Sequence, residues 1–294
     1  MKYFKGIITA DWHLSQTKPR ARCDEDWIKT QTELVNQVYE KAVEKDCDIF
    51  IVGDIFHSNS DVSFEVISIV QNLAKKLKIK GLKLYMICGN HDLLYHSSSN
   101  LNKSAVGVLL HSENIYPVTK YSEDVSGANF DEETENKRIV FKHVLAFADE
   151  SKIPPHVEAI TAQELLDEYD EAKFIFLGDN HHSFIYENKG RKVINSGCLI
   201  RRNSDFKSYV PIIYYVDEEN DICESFEIID NEQLIDDSYI LQENEREERI
   251  DNFVQKLKDT ESVSLDFLAN VETAMQSNEL ESDLKEVIEE LLEV

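Results

Sequence analysis

The sequence predicts an α/β protein: a four-layer α/β/β/α sandwich of two mixed sheets, with an acidic helical extension at its C-terminal end. Three observations lead there. The first half alternates short apolar runs with stretches of helical periodicity, the pattern of a parallel sheet with right-handed crossovers. The second half is a series of short strands around one helix. Polar residues able to bind metal recur where the apolar runs stop.

The elements follow in order. Residues 4–9 are the first strand, and Trp27, Ile28, Leu34, Val35, Val38 and Ala42 then recur at helical spacing. Residues 49–52 form the second strand, and Val66, Ile69, Val70, Leu73 and Leu77 mark the second helix. A third strand covers 82–88 and a short helix 104–110. Residues 121–137 read as a polar loop or hairpin insertion. An apolar run at 139–141 precedes a helix over 161–169, opened by a Thr161-x-x-Glu164 capping box. Strands over 174–177, 192–195, 211–216 and 223–229 complete the two sheets.

From about Asn231 the texture changes. Glycine is absent after Gly197, and acidic residues dominate. Ile250, Phe253, Val254 and Leu257 mark one amphipathic helix, and Leu284, Val287, Ile288, Leu291 and Leu292 another. The expected organisation is a catalytic domain over residues 1–230 and an acidic helical tail over 231–294.

Of the 294 residues, 42% are hydrophobic, enough for a proper core. The net charge of −26 is unevenly placed: residues 1–216 carry 26 Lys+Arg against 31 Asp+Glu, and residues 217–294 carry 5 against 26. An anionic partner such as nucleic acid is therefore not excluded from the first part. No long apolar run follows the basic start, so neither a signal peptide nor a membrane span is expected. The five cysteines are odd in number and scattered, which suits a reduced, cytoplasmic protein.

Chemistry concentrates at the ends of the apolar runs. In Asp11-x-His13 an extended backbone points both side chains to one side. Asp54 follows Gly53, which permits a tight turn. Gly89-Asn90-His91-Asp92, the lone His143 and Gly178-Asp179-Asn180-His181 follow. Singly these are weak signals, since Gly-Asp is usually a turn. As a set they differ: strands ending at one sheet edge deliver their side chains to one crevice. Carboxylates, imidazoles and an amide converging there suit a pair of divalent cations.

This ordered set resembles the calcineurin-like metallophosphoesterase superfamily, whose usual order is Asp-x-His, Gly-Asp, Gly-Asn-His-Asp/Glu, a lone His and Gly-His-x-His. The resemblance implies one metal held by Asp11, His13, Asp54 and His181, and a second by Asp54, Asn90, His143 and Asp179, with Asp54 bridging. It further implies a hydroxide between the ions attacking phosphorus. His91 would stabilise or protonate the leaving group, and Asp92 would orient its ring. Asp179 stands where the superfamily commonly has histidine, a harder ligand that tilts preference toward Mn²⁺ or Mg²⁺ and away from Zn²⁺. His182 is an alternative ligand.

Within the superfamily, Asp11-Trp12-His13-Leu14 and Gly53-Asp54-Ile55-Phe56-His57 resemble the SbcD-type, double-strand-break repair nucleases. The resemblance implies that His57 contacts the substrate phosphate region. The segment from Ile194 to Arg201 is similar to the Asn/Tyr-Pro-Gly-Ser-Leu-x-Arg of that branch, with Ser196 and Cys198 replacing proline and serine. Arg201 and Arg202 would then bind the phosphodiester backbone, a buried ion pair or plain surface charge being an equal reading. The likeness covers roughly residues 1–216.

It implies a DNA nuclease of recombination, repair or replication, of phage or compact bacterial type. Its cofactors would be two divalent ions, Mn²⁺ foremost, with Mg²⁺ or mixed metals as alternatives. An SbcC-like coiled-coil ATPase would dock on the acidic helices, and a homodimer is compatible. The rival expectations are a metallophosphatase or cyclic-nucleotide phosphodiesterase acting on small phosphoesters, and a non-catalytic adaptor of the ATPase.

Overall fold

The first apolar run becomes β1 (Lys5–Thr9), buried from Gly6 onward, as befits a strand covered on both faces. The structure, a computed structural model, describes residues 2–59, 62–230 and 235–236. After β1 come α1 (Trp27–Lys45), β2 (Asp48–Val52), α2 (Phe64–Ile79), β3 (Leu84–Ile87), α3 (Ala105–Leu110) and β4 (Ile115–Pro117). The chain continues through β5 (Val125–Gly127), β6 (Ile139–His143), β7 (Ala146–Phe147), β8 (Ile160–Thr161) and α4 (Ala162–Glu168). It then forms β9 (Phe174–Gly178), β10 (Phe184–Asn188), β11 (Arg191–Asn195), β12 (Ile212–Asp217) and β13 (Ile222–Glu227).

Strand order in the first sheet is β13-β12-β1-β2-β3-β4, and in the second β10-β11-β9-β6-β5; β7 and β8 pair separately. From β1 to β4 the pairing is parallel, because each crossover carries a helix or a long loop. Strands β12 and β13 close one edge of the first sheet antiparallel, and β10 pairs antiparallel with β11 in the second, so both sheets are mixed.

Three apolar clusters define four layers. Between α1, α2, α3 and the first sheet lie Leu34, Val38, Ile49, Ile51, Val70, Leu73 and Leu109. Between the sheets lie Phe4, Phe50, Phe141, Phe174 and Phe176. Phe50 stacks on Tyr85 at 5.0 Å and on Phe141 at 5.4 Å, joining the two sheets through aromatic faces. Behind the second sheet, Leu165 and Leu166 of α4 pack on Val140, Ile175 and Val193. The predicted α/β/β/α order is the observed one.

Helix starts follow local chemistry. Asp26 caps α1 through the Lys29 amide, and Ser63 caps α2 through the Val66 amide. The capping box of Thr161 and Glu164 is formed at α4. Residues 121–137 depart from expectation: Val125–Gly127 is an edge strand parallel to β6, not part of a loop or hairpin. Three residues are too few to show a period in sequence, and the same brevity hid β4. These elements belong to one compact unit, Met1–Ile235. The tail helices expected around residues 250–257 and 284–292 lie outside the described residues. No helix among the described residues is long and apolar enough to cross a membrane.

Candidate metal centre

The parallel strands deliver their carboxyl ends to one place. Asp11 and His13 lie just past β1, Asp54 past β2, and Asn90 and His91 past β3; His143 ends β6 and Asp179 follows β9. Four of these bend into the left-handed region, Asp11 at φ 49°, His13 at 45°, Asp54 at 51° and Asp179 at 87°, so the extended backbone expected at Asp11-x-His13 is not the one observed. Such a backbone costs about 1–3 kcal/mol for a residue other than glycine, and persists only where its surroundings enforce it. Here the Asp11 amide donates to Gly53 O at 3.1 Å and the His13 amide to Asp54 O at 3.0 Å. The Asp179 amide donates to both oxygens of the Asp11 carboxylate, at 3.2 and 3.1 Å.

His143 is the hub. Its Nε2 lies 3.2 Å from Asn90 Oδ1, 3.4 Å from Asp54 Oδ2, 3.8 Å from Asp179 Oδ1 and 4.0 Å from Asp11 Oδ1. Its Nδ1 donates to Val52 O at 2.8 Å, so the neutral ring carries its lone pair on Nε2. Beside this group, His13 Nε2 and His181 Nε2 are 3.0 Å apart, and His13 Nε2 is 3.7 Å from Asp54 Oδ2. All seven side chains predicted as ligands are thus brought together, and Asp54 Oδ2 belongs to both halves.

The electrostatics set the charge that a ligand of this cluster would have to carry. Asp11, Asp54 and His143 are buried. Burial lifts Asp11 well above the usual carboxylate range, only partly offset by His143. Burial also opposes ionisation of Asp54, but His143, His13 and His91 hold it well below that range. Burial works to lower His143, yet Asp54, Asp11 and Asp179 outweigh it and push its pKa to about 10. One imidazolium is left to compensate a cluster of carboxylates that desolvation makes costly.

Divalent cations meet that need, and the spacings fit them. Octahedral metal–ligand bonds of about 2.1 Å put neighbouring ligand atoms roughly 3 Å apart and opposite ones roughly 4 Å apart. The four separations about His143 fall in that span. Asp11, Asp54 and His143 form one cluster able to hold a metal, and Asp11, His13 and His181 another. Glycine is required at two walls: a Cβ on Gly53 would sit 2.3 Å from His143 Nδ1, and one on Gly89 would sit 2.1 Å from Asp54 Oδ1.

His91 and His57 stand at the mouth. The His91 ring lies 4.9 Å from that of His13, and His57 stacks on His91 at 5.6 Å with 16° between planes. His91 Nδ1 donates to the His57 backbone carbonyl at 2.9 Å, leaving Nε2 as the nitrogen a substrate can use. The His91 amide donates to Asp54 Oδ1 at 2.9 Å, coupling the ring's position to the metal cluster. Burial pushes the His57 imidazole down to about 4, with Arg202 and His91 adding to it, so His57 is neutral near pH 7.

Two expectations need correction. Asp92 does not orient the His91 ring; its buried carboxylate accepts the amides of Ile55, Phe56 and Gly89 at 3.2, 3.0 and 3.0 Å. It clamps the Gly89 loop to the Gly53 loop, while the His57 carbonyl holds the ring. Arg201 does not face substrate either. It is buried, with Nε on Asp230 Oδ2 at 2.9 Å and its other nitrogens on the backbone carbonyls of Lys207 and Asp230. Arg202 stays close to the crevice, donating to His13 O and Ser15 Oγ, both at 2.8 Å. His182 stacks on Phe206 at 4.9 Å, outside the candidate metal groups among the described residues.

Sequence inspection missed the partners of Arg201. Arg22 bonds both Asp24 and Asp230, and Asp230 is shared with Arg201. Asp230 lies 29 positions from Arg201 and 208 from Arg22, separations that leave no local pattern to find. It also missed Phe130, whose amide donates to Cys88 O at 3.0 Å and whose ring lies 6.3 Å from that of His143.

Comparison with known proteins agrees with this geometry. The family model for calcineurin-like phosphoesterases matches residues 4–270. Exonuclease subunit 1 of Enterobacteria phage T4 is 28% identical over 102 residues, which are 34% of this chain and 29% of that protein. The chain thus matches less than a third of that relative's length. Among solved structures, an archaeal phosphodiesterase is 16% identical, with a TM-score of 0.40 over 76% of this chain and 99% of that one. Vacuolar protein sorting 29 from Cryptosporidium parvum is 12% identical, with a TM-score of 0.35 over 76% of this chain and 96% of that one.

Arg201→Ala is expected to destabilise the protein by about 3–5 kcal/mol in urea unfolding, because it strands part of a buried ion-pair network. A stability unchanged from the parent, with a raised KM for substrate, would restore the substrate-binding role. Metal loading is expected to release protons. Below about pH 10 His143 holds a proton that a metal must displace, so apparent affinity for a divalent cation rises with pH. Calorimetry in buffers of different ionisation enthalpy measures this; a proton count of zero at pH 7 would contradict it.

Proposed function

This chain belongs to the calcineurin-like phosphoesterase family, a family of metal-dependent phosphoesterases, and we propose that within it the chain is a manganese-dependent DNA nuclease of the SbcD type. The observation that carries the reading is the His57–His91 pair. A second imidazole stacks on the candidate acid, and its backbone carbonyl fixes the acid's tautomer. The partial likeness to a phage exonuclease subunit supports the same branch.

In this reading one ion is held by Asp11, His13, Asp54 and His181, and the other by Asp54, Asn90, His143 and Asp179. When bound, the ions would polarise the phosphoryl oxygens and lower the pKa of water at the site. The protein's own groups do the rest. His91 keeps its Nδ1 proton on the His57 carbonyl, so Nε2 faces the leaving oxygen, and in the imidazolium form it would pass its Nε2 proton there as general acid. Neutral His57 can donate one N–H to a non-bridging phosphate oxygen without adding charge. Asp92, by clamping the two loops, keeps His91 at a fixed distance from the metal ligands. Arg202 secures the Asp11–His13 loop from below. The carboxylate at Asp179, where the superfamily commonly has histidine, favours Mn²⁺ or Mg²⁺.

The acidic segment beyond residue 230 is proposed as the docking element for an SbcC-like coiled-coil ATPase, with the apolar positions that recur at helical spacing in its sequence as the recognition element.

His91→Ala is expected to lower kcat/KM on end-labelled DNA by roughly 10²–10⁴-fold with Mn²⁺ still bound. Loss of metal from that variant would make His91 a ligand and sink its assignment as acid. Hydrolysis of a small chromogenic phosphodiester with no DNA shortening would instead select the phosphodiesterase reading. Replacing Leu284, Ile288 and Leu291 by glutamate should abolish co-elution with the ATPase subunit while short DNA is still cleaved. Persistent co-elution would refute docking through that stripe.

A further inference from the structure

On one rim of the crevice the chain places aromatic rings that the proposed chemistry does not use. Phe130 comes from the 121–137 segment and is 40% exposed, although its ring lies 6.3 Å from that of His143 and 6.5 Å from that of His96. The loop around it is fixed. The Phe130 amide donates to Cys88 O, Asn129 Oδ1 accepts the Cys88 amide at 3.2 Å, and the Asp131 carboxylate accepts the Ser98 amide at 3.0 Å. Glu132 holds Asn129 in turn, through its amide at 3.1 Å and its Nδ2 at 3.0 Å.

Orienting His143 does not explain Phe130, because the Val52 carbonyl already fixes that ring. The neighbouring segment behaves alike. His96 Nδ1 donates to Asn90 O at 2.9 Å, and Tyr95 beside it is 82% exposed at a left-handed φ of 55°. A partly exposed aromatic ring on a fixed loop, 6.3 Å from the ring of a candidate metal ligand, is an arrangement suited to a flat apolar group carried by the substrate.

We propose that Phe130, on the rim beside His143, forms a stacking subsite for the nucleobase attached to the scissile phosphate. The proposal rests on the nuclease reading and specifies it. The substrate would be engaged through its base as well as its phosphate, with a terminal nucleotide splayed from its neighbour. Stacking tolerates any base, since each presents a π face, so the subsite would select nucleotides over simple phosphoesters without reading sequence.

The test uses the full-length, Mn²⁺-loaded protein and oligonucleotides ending in either 2-aminopurine or an abasic site. Phe130→Leu keeps the apolar packing and removes the π face; Phe130→Trp restores it. The expected result has three parts. The 2-aminopurine fluorescence is quenched on binding to His91→Ala protein and not to the His91→Ala, Phe130→Leu double variant. Phe130→Leu raises KM about tenfold on the intact end, the effect of losing one stack. On the abasic end it matches the parent, and Phe130→Trp recovers the parent KM on both. Equal KM values for parent and Phe130→Leu on the intact end, with DNA still cleaved, would overturn the subsite alone. Absence of both cleavage and quenching in the parent background would overturn the nuclease reading together with it.

Discussion

The site depends on one constraint: buried carboxylates must be neutralised where water cannot do it. Asp11 and Asp54 are excluded from solvent, Asp179 is close by, and of the imidazoles beside them His143 is the one whose pKa the carboxylates raise, burial lowering that of His13. Isolated charges in such a place are expensive, and a lone imidazolium compensates only one of them. Divalent ions would supply the charge, and the oxygens of Asp54 and Asn90 with the nitrogens of His13, His143 and His181 are placed where they could ligate them. The folded framework therefore preorganises a place of high anionic density, and its strained backbone turns are a cost of doing so.

The rest of the structure keeps that cluster in position. The aromatic layer around Phe50 and Phe141 fixes one sheet against the other, and with it the β1, β2 and β3 ends against those of β6 and β9. Asp92 ties the Gly89 loop to the Gly53 loop through three amides. Arg202 holds the His13 turn, and its neighbour Arg201 locks into the Arg22–Asp24–Asp230 network. Buried networks of this kind contribute little net stability, but breaking one partner is costly, so they specify geometry.

Much of this was legible in the sequence, for identifiable reasons. Runs such as residues 49–52 and 174–177 read as strands because they are apolar and short, and α1 and α2 read as helices because their stripes recur at 3.6 residues. The candidate ligands, which the structure brings together, stood out because each sits at the end of an apolar run, where type and order both carry information. What failed was of two kinds. Val125–Gly127 and Ile115–Pro117 are too short for periodicity, and only their neighbours make them strands. The roles of Asp92 and Arg201 depend on contacts distant in sequence: Asp92 follows the candidate acid directly yet serves backbone amides 36 and 37 positions away. Adjacency in sequence suggested a ring contact that the turn geometry does not make.

The central claim is that Asp54 places two ions within one bridged centre. Electron paramagnetic resonance of the Mn²⁺-titrated protein tests it most directly. At saturation the account predicts two Mn²⁺ per chain and an exchange-coupled spectrum, as expected for ions sharing a carboxylate. A single ion per chain, or two giving only the six-line signal of isolated Mn²⁺, would contradict it.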